Sequence, residues 1–185
     1  MPRANLSPDA LTRAALDLID ADGPDALSMS ALARRVGVQT ASLYAHVRDL
    51  AALRSAVQAA VFHDLANAIG DAPTLRDLAN AQRAYAFAHP ARWAMISQPV
   101  ERNEVTGPAA SRISALVVGS LDDYALAESE TVHAVRFASA TIAGYLALES
   151  ASSFAHRDET TDTSWNRALD ALDRALRTWT PKDPA

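Results

Sequence analysis

The chain has 185 residues, of which 49% are apolar, and its formal net charge is −5. This length suits a small domain followed by one of ordinary size, and the apolar content excludes global disorder. The chain has no cysteine, which excludes disulfides and thiolate chemistry and fits a reducing compartment.

The composition predicts an all-α protein. Alanine, leucine and arginine are abundant, only six glycines occur, and no stretch alternates β-branched residues as a strand would. We expect about nine helices, arranged as an N-terminal three-helix domain and a C-terminal helical bundle. The N-terminus has no apolar signal core, and the most apolar helix, Val132 to Leu148, contains His133 and Arg136. These features predict a cytoplasmic protein without a membrane span.

Four helices are predicted in the first 69 residues, each with a residue that can begin or end it. Ser7 and Asp49 are favourable N-cap residues, whereas Gly23 and Gly37 interrupt helices. The predicted helices run from Ser7 to about Asp22, from about Ser28 to Val36, from about Thr40 to His46, and from Asp49 to about Ile69.

Five further helices are predicted in the rest of the chain. Thr74 and Asp77 resemble a capping box, and His89-Pro90 ends one helix and begins another. The predicted helices run from Thr74 through Phe87, from Pro90 through Ile96, from Pro108 through Tyr124, from Glu128 to about Phe154, and from Trp165 through Trp179. Polar loops are predicted from Pro99 to Gly107 and from His156 to Asp162.

The segment from Leu32 to Tyr44 has the pattern of a helix-turn-helix. Such a motif needs a small residue where its two helices cross, and Ala33 supplies one. It also needs a residue that tolerates a positive φ four positions later, which Gly37 supplies. Apolar residues are spaced to form a small core against the first helix: Leu32, Val36, Val38, Leu43 and Val47.

The residues left outside this core are small, polar or hydrogen-bonding. From Ser28 to Leu50 there are three arginines and one aspartate, so the segment is locally basic although the chain is acidic. A short helix with such a surface can enter the major groove of DNA. The alternative interpretation is a three-helix packing unit without a nucleic-acid partner, and the absence of acidic side chains from Ser28 to Arg48 argues against it.

From Leu6 to about Ile69 the sequence resembles the TetR family of one-component regulators, most closely in the run from Leu43 to Asp49. The resemblance implies a repressor that binds double-stranded DNA. Its base-reading helix would carry Gln39, Thr40, Ala41 and Ser42. Contacts with phosphates are implied for Ser28, Ser30, Tyr44, His46 and Arg48.

One position departs from the family pattern. Many members have a phosphate-binding lysine at the start of the fourth helix, where this chain has Leu50. Arg48 and the amino-terminal dipole of that helix can compensate. Without such compensation, we expect weaker DNA binding with a shallower salt dependence.

The C-terminal part is similar to the WHG-type ligand-binding domain of one TetR subgroup, in the stretches 85–93 and 145–154. We therefore expect a DNA-binding domain in residues 1–49 and a ligand-binding and dimerisation domain in residues 50–185, connected by the helix from Asp49 to Ile69. The eighth and ninth helices would pair with their symmetry mates in a homodimer. Candidate interface residues are Ala140, Ala143, Gly144, Ala147, Trp165, Leu169, Leu172 and Leu176.

A ligand pocket for a small-molecule effector is expected in the same domain. Its candidate apolar and aromatic residues are Tyr85, Trp93, Ile96, Val117, Leu121, Phe137 and Tyr145, and its candidate polar anchors are His133, Arg136 and Thr141. For any one of these residues, ordinary core packing is the favoured explanation. A salt bridge, either with Glu149 or with an acidic residue of a partner, is a second explanation for Arg136 within an apolar helix.

Two other functional classes remain as alternatives. The interpretation as an enzyme has little support, because the chain lacks GxSxG, HExxH, a Gly-rich phosphate loop and any cysteine nucleophile. No cofactor or metal is expected, since the polar run His156 to Glu159 is better explained as a loop than as a set of metal ligands. The second alternative is a ligand-binding scaffold that has lost its operator.

Overall fold

The computed structural model describes residues 6–96, 98, 106–154 and 159–179. In these ranges the protein has nine α-helices and no strand, which confirms the predicted fold class. The helices are α1 (Pro8–Asp22), α2 (Met29–Val36), α3 (Thr40–Leu43), α4 (Leu50–Ile69), α5 (Leu75–Ala88), α6 (Pro90–Ile96), α7 (Thr106–Gly119), α8 (Glu128–Ser150) and α9 (Thr161–Arg177). Single 3₁₀ turns lie at Pro24–Ala26 and Asp122–Tyr124.

Side-chain caps explain where several helices begin. The Ser7 hydroxyl accepts a hydrogen bond from the Ala10 N–H at the start of α1 (3.1 Å). At the start of α5, the Thr74 hydroxyl accepts from the Asp77 N–H (3.1 Å) and donates to the Asp77 carboxylate (2.6 Å). The predicted cap and capping-box residues therefore perform these roles.

Several predicted boundaries are wrong by a few residues, including the end of α7, at Gly119 and not Tyr124, and the start of α9, at Thr161 within a predicted loop. The third helix ends at Leu43, and hydrogen-bonded turns, not helix, continue to His46. Helix α7 already begins at Thr106, within the segment predicted to be a loop, of which residues 99–105 lie outside the described residues. Helix α8 ends at Ser150, because residues 151–154 form turns in which Ser152 has a positive φ of 56°.

The chain forms two compact units, and the first contains residues 1–67 and 88–113. Its main hydrophobic core brings together apolar residues of α1, α2, α3, α4 and α6. Arg92 of α6 connects three of these helices, since its guanidinium binds the Asp20 carboxylate of α1 (2.6 Å) and the Asp64 carboxylate of α4 (3.0 Å).

The second unit contains residues 68–87 and 114–185. The Arg83 guanidinium of α5 binds both carboxylate oxygens of Glu149 in α8, at 2.9 and 2.6 Å, and the carboxylate of Asp162 in α9 at 2.7 Å. These hydrogen bonds raise the pKa of Arg83 above its usual value. Charge pairing compensates the burial of Glu149, whose side chain is only 5% exposed.

None of the helices in the described ranges combines the length and apolar character that a bilayer span requires. Among the same residues, no group of three or more His, Asp or Glu side chains is placed to hold a metal ion. The two compact units do not divide the chain at residue 49, so the functional boundary between residues 1–49 and 50–185 stays a prediction.

Candidate nucleic-acid interface

The turn between α2 and α3 is built around Gly37. This glycine has φ 71° and ψ 32°, the left-handed conformation that side chains with a Cβ disfavour. The Val38 N–H donates to the Ala33 carbonyl (3.0 Å), and the Gly37 N–H donates to the Arg34 carbonyl (3.3 Å). The two bonds form a Schellman motif that ends α2 and redirects the chain into α3.

Helix α3 is held by one apolar side chain and presents polar ones. Leu43 is fully buried in the core of the first unit. On the other side of the helix, Gln39, Ala41 and Ser42 are exposed, and Thr40 is half-buried. Helix α3 thus has the exposed surface of small and hydrogen-bonding groups that the sequence predicts.

The two predicted phosphate-binding serines lie at the start of α2. The Ser28 hydroxyl accepts from the Ala31 N–H (3.2 Å) and lies 3.3 Å from the Ser30 hydroxyl. Ser28 thus caps α2 and can also carry one further hydrogen bond, while Ser30 is exposed. Both hydroxyls are near the amino-terminal end of a helix, where an anion is stabilised.

The other predicted phosphate-binding residues follow α3. Tyr44 is 54% exposed, although its ring is large and aromatic. His46 is half-buried and Arg48 is exposed. The Arg48 Nε donates to the Asp49 carboxylate (2.8 Å), so part of the positive charge available to phosphate is neutralised by the next residue.

Asp49 also caps α4. Its carboxylate accepts from the Ala52 N–H at 2.7 Å. This bond, followed by the hydrogen bond from Arg48, holds the pKa of Asp49 below its usual value, so the residue is negatively charged at neutral pH. Leu50, where the family resemblance implies a lysine, is half-buried against the core of the first unit. Its role here is packing.

The candidate ligand-binding residues fall into both compact units. Trp93 and Ile96 belong to the first unit, and the other eight belong to the second. Within the second unit, Tyr85, Val117 and Leu121 are buried, and Tyr145 and Thr141 are half-buried. These residues stay predictions as a ligand site.

Three of the candidate ligand residues on α8 are exposed. These are the polar candidates His133 and Arg136 and the aromatic candidate Phe137, and their role in a ligand site stays a prediction. The alternative bridge between Arg136 and Glu149 is wrong, because Glu149 pairs with Arg83. Thr141 donates its hydroxyl hydrogen to the Phe137 carbonyl one turn earlier (2.8 Å).

The candidate dimer residues on α8 and α9 differ in exposure. On α8, the small residues Ala140, Ala143, Gly144 and Ala147 are all exposed, as an interface between copies requires. The candidate residues of α9 are at most 4% exposed and pack within the protomer: Trp165, Leu169, Leu172 and Leu176. Their burial leaves these α9 residues little surface for a partner, and their role in an interface stays a prediction.

Sequence reasoning missed two features. The Arg92 contacts join residues 72 and 28 positions apart, and no local pattern reports such pairs. A cavity of about 280 Å³ lies between the start of α5, the turn after α7 and the second half of α9. The only sequence signal for this cavity is the pattern of charged and apolar residues in α9. The same pattern occurs in any amphipathic helix, whether or not it lines a cavity.

Comparisons with known proteins give two family matches. A protein-family model described as bacterial regulatory proteins of the tetR family matches residues 11–57. A second model, described as a tetracyclin repressor-like C-terminal domain, matches residues 75–172. An uncharacterized HTH-type transcriptional regulator of Mycobacterium tuberculosis is 32% identical over 155 residues, which are 79% of this chain and 71% of the relative.

A shorter match and two solved structures agree with these families. The tetracycline repressor protein class A from transposon 1721 of Escherichia coli is 45% identical over 56 residues, or 30% of this chain and 26% of that protein. Apo ActR from Streptomyces coelicolor has a similar fold, with a TM-score of 0.71, 19% identity and coverage of 94% and 96% of the two chains. A TetR variant from Acinetobacter baumannii in complex with minocycline has a TM-score of 0.69 at 22% identity, with coverage of 93% and 97%.

Proposed function

This chain belongs to the TetR family, whose members are DNA-binding transcriptional repressors with a ligand-binding C-terminal domain, and on that premise we propose that it represses transcription as a homodimer on a palindromic operator. Helix α3 reads base edges in the major groove through Gln39, Thr40, Ala41 and Ser42. Ser28, Ser30, Tyr44, His46 and Arg48 hold the flanking phosphates and so fix the register. We propose that the protein is cytoplasmic, because it must reach its operator DNA.

The observation that carries this proposal is the surface of α3. Its exposed groups are hydrogen-bonding or small, it is anchored by a buried leucine, and no acidic side chain occurs from Ser28 to Arg48. An amide such as that of Gln39 can bond two atoms of an adenine edge, and a hydroxyl such as that of Ser42 can donate or accept. A purely structural three-helix unit has no need of such a surface.

Direct binding tests the proposal. Duplexes selected from random sequence by the wild-type protein provide the operator, and fluorescence anisotropy then gives the affinity for it and for a scrambled duplex. We expect a preference of about 10³-fold or more for the selected sequence. The variant Gln39→Ala should lose about 1–3 kcal/mol of binding free energy on the selected duplex and little on the scrambled one.

Gln82→Ala is the matched control, because Gln82 is a half-buried glutamine in the second compact unit. It should bind both duplexes like the wild type. Equal affinity of the wild type for selected and scrambled DNA would contradict the proposal and support a scaffold that has lost its operator.

Dimerisation is proposed through the exposed side of α8. Three large apolar residues on this helix are between 38% and 49% exposed, namely Val132, Phe137 and Leu148. The small residues Ala140, Ala143, Gly144 and Ala147 lie between them and allow the helices of two copies to approach closely. Apolar and small residues on one exposed helix face fit the self-complementary interface of a two-fold dimer.

Release from the operator is proposed to follow the binding of a small molecule to the C-terminal domain. The effector must bind more tightly to a conformation whose reading helices do not match two adjacent grooves. The TetR variant that resembles this chain was crystallised with minocycline, which is consistent with an effector site in proteins of this fold. We propose no enzymatic activity, because regulation by binding alone accounts for the site.

A further inference from the structure

A cavity of about 280 Å³ lies within the second compact unit. It is open on one side and is formed by the start of α5, the turn that follows α7 and the second half of α9. Its size is at the lower end of cavities that hold small molecules. None of the ten candidate ligand-binding residues predicted above lines it. The lining residues are Thr74, Leu75, Arg76, Ser120, Asp123, Tyr124, Leu169, Leu172, Asp173 and Arg177.

One part of the lining is apolar. Leu75, Leu169 and Leu172 are each at most 4% exposed, and their side chains come from α5 and α9. An apolar ligand body that lies on these three residues is removed from water, which contributes about 25 cal/mol for each Å² of apolar surface. This surface alone favours a hydrocarbon segment and gives no selectivity among end groups.

The other part of the lining holds two guanidinium groups. The Arg76 group is engaged by Asp170 at 2.5 Å and by the Asn166 side chain at 3.3 Å. The Arg177 group donates only through Nε, to Asp173 at 2.9 Å, among the contacts of the described residues. Both terminal nitrogens of Arg177 are therefore free for a ligand, and this planar fork matches a carboxylate.

Tyr124 fixes the position of Arg177. The Arg177 Cζ lies 5.3 Å from the centre of the Tyr124 ring, and the Tyr124 hydroxyl donates to the Asp173 carboxylate at 2.8 Å. Burial, and then the bond to Asp173, raise the pKa of Tyr124 to about 12, so the hydroxyl stays protonated and is a donor at neutral pH. The ring and the carboxylate thus restrain the guanidinium of a side chain that is 59% exposed.

The charges of the lining limit the ligand. Arg76 is paired with Asp170 and Arg177 with Asp173, and Asp123 adds a further carboxylate to the lining, so the site can accept at most one negative charge, on the terminal nitrogens of Arg177. We propose that this cavity binds a small monocarboxylate with an apolar body, whose carboxylate pairs with Arg177 and whose body lies on Leu75, Leu169 and Leu172. Such a ligand would connect α5, the turn after α7 and α9.

Isothermal titration calorimetry of the full chain without DNA tests this site, with octanoate as the probe and octanamide as its neutral isostere. We expect one saturable octanoate site per chain, binding at least 10-fold more tightly than octanamide, and a melting temperature that rises with octanoate concentration. The variant Arg177→Gln should lose at least 10-fold in octanoate affinity. The variant Arg177→Lys keeps the charge without the fork and should be intermediate.

Arg174→Gln is the matched control, since Arg174 is exposed on the same helix and does not line the cavity. It should bind octanoate like the wild type. Absence of saturable octanoate binding to the wild type, equal affinity for octanamide, or unchanged affinity of Arg177→Gln would each overturn the proposal. Because no DNA is present, these results are independent of the proposed operator binding.

Discussion

Gly37 determines how α3 leaves α2. Its positive φ is a property that the sequence predicted, since glycine is the residue that reaches this region at no steric cost. A Cβ built on Gly37 meets nothing within 4 Å, so the effect of a substitution there is conformational. Gly37→Ala should lower the free energy of unfolding by about 1–2 kcal/mol, measured by urea denaturation.

Gly119→Ala is the control for this prediction, because Gly119 at the end of α7 is also open to a Cβ and has no positive φ. It should be neutral or stabilising by up to about 1 kcal/mol. If Gly37→Ala left the free energy of unfolding unchanged, this would contradict the positive φ at residue 37 and the geometry of α3 that depends on it.

Asp49 is expected to limit the affinity for DNA. The sequence identified Leu50 as the departure from the family, but the bond between Arg48 and Asp49 lies in side-chain geometry that the sequence does not specify. Asp49→Asn keeps a capping side chain and removes the negative charge next to Arg48. Its affinity for the selected duplex should rise, and the slope of log K against log salt should steepen by about 1, measured by anisotropy.

The control is Asp71→Asn, an exposed aspartate after α4 in the second unit. It removes the same charge at a residue that is not predicted to contact DNA and should leave the slope unchanged. An Asp49→Asn protein with lower affinity, or with the slope of the wild type, would show that Asp49 does not oppose phosphate.

At the scale of the elements, helix ends could be predicted from the sequence where a nearby side chain caps them. They were less predictable where tertiary contacts determine the turn. Ser7, Thr74 and Pro90 begin helices as predicted. Helix α3 is shorter than predicted because its last residues form turns around the buried Leu43. The apolar stripe of α9 does not reveal in the sequence where it is buried, since the pattern is the same whether a helix buries it in its own subunit or in another.

Arg92 joins three helices of the first unit and is expected to stabilise them. Its side chain is 18% exposed, and it binds Asp20 of α1 through Nε and Nη2 and Asp64 of α4 through Nη1. Arg92→Gln leaves both carboxylates without this cation. The variant should lose about 1–2 kcal/mol of unfolding free energy, which is modest because the carboxylates are partly exposed.

Arg13→Gln, on the exposed side of α1, provides the comparison and should change stability by less than about 0.5 kcal/mol. A double-mutant cycle of Arg92→Gln with Asp20→Asn should give a coupling of at least about 0.5 kcal/mol. Additive effects in that cycle would mean that the bond between α6 and α1 contributes nothing.

At the scale of the whole molecule, the proposed function needs two copies, and α8 provides the test. A Cβ at Gly144 meets nothing within 4 Å in the protomer, so Gly144→Glu should fold. In the proposed interface it would bury a charge without a partner, which is strongly unfavourable. Sedimentation velocity should therefore show a dimer for the wild type and a monomer for Gly144→Glu.

Ala84→Glu, on the exposed side of α5, introduces the same charge elsewhere and should remain dimeric. A dimeric Gly144→Glu protein would place the interface on another surface. The small residues of α8 were recognisable in the sequence, and their exposure, which makes them available to a partner, comes only from the packing of the protomer.

Hydroxyl-radical footprinting of the wild-type protein on its selected duplex tests the central claim most directly. Two α3 helices in one dimer should protect two segments on the same face of the duplex, with centres about 10 base pairs or 34–36 Å apart. A single protected segment, two segments on opposite faces, or no protection at saturating protein would contradict a dimeric repressor that reads DNA with α3.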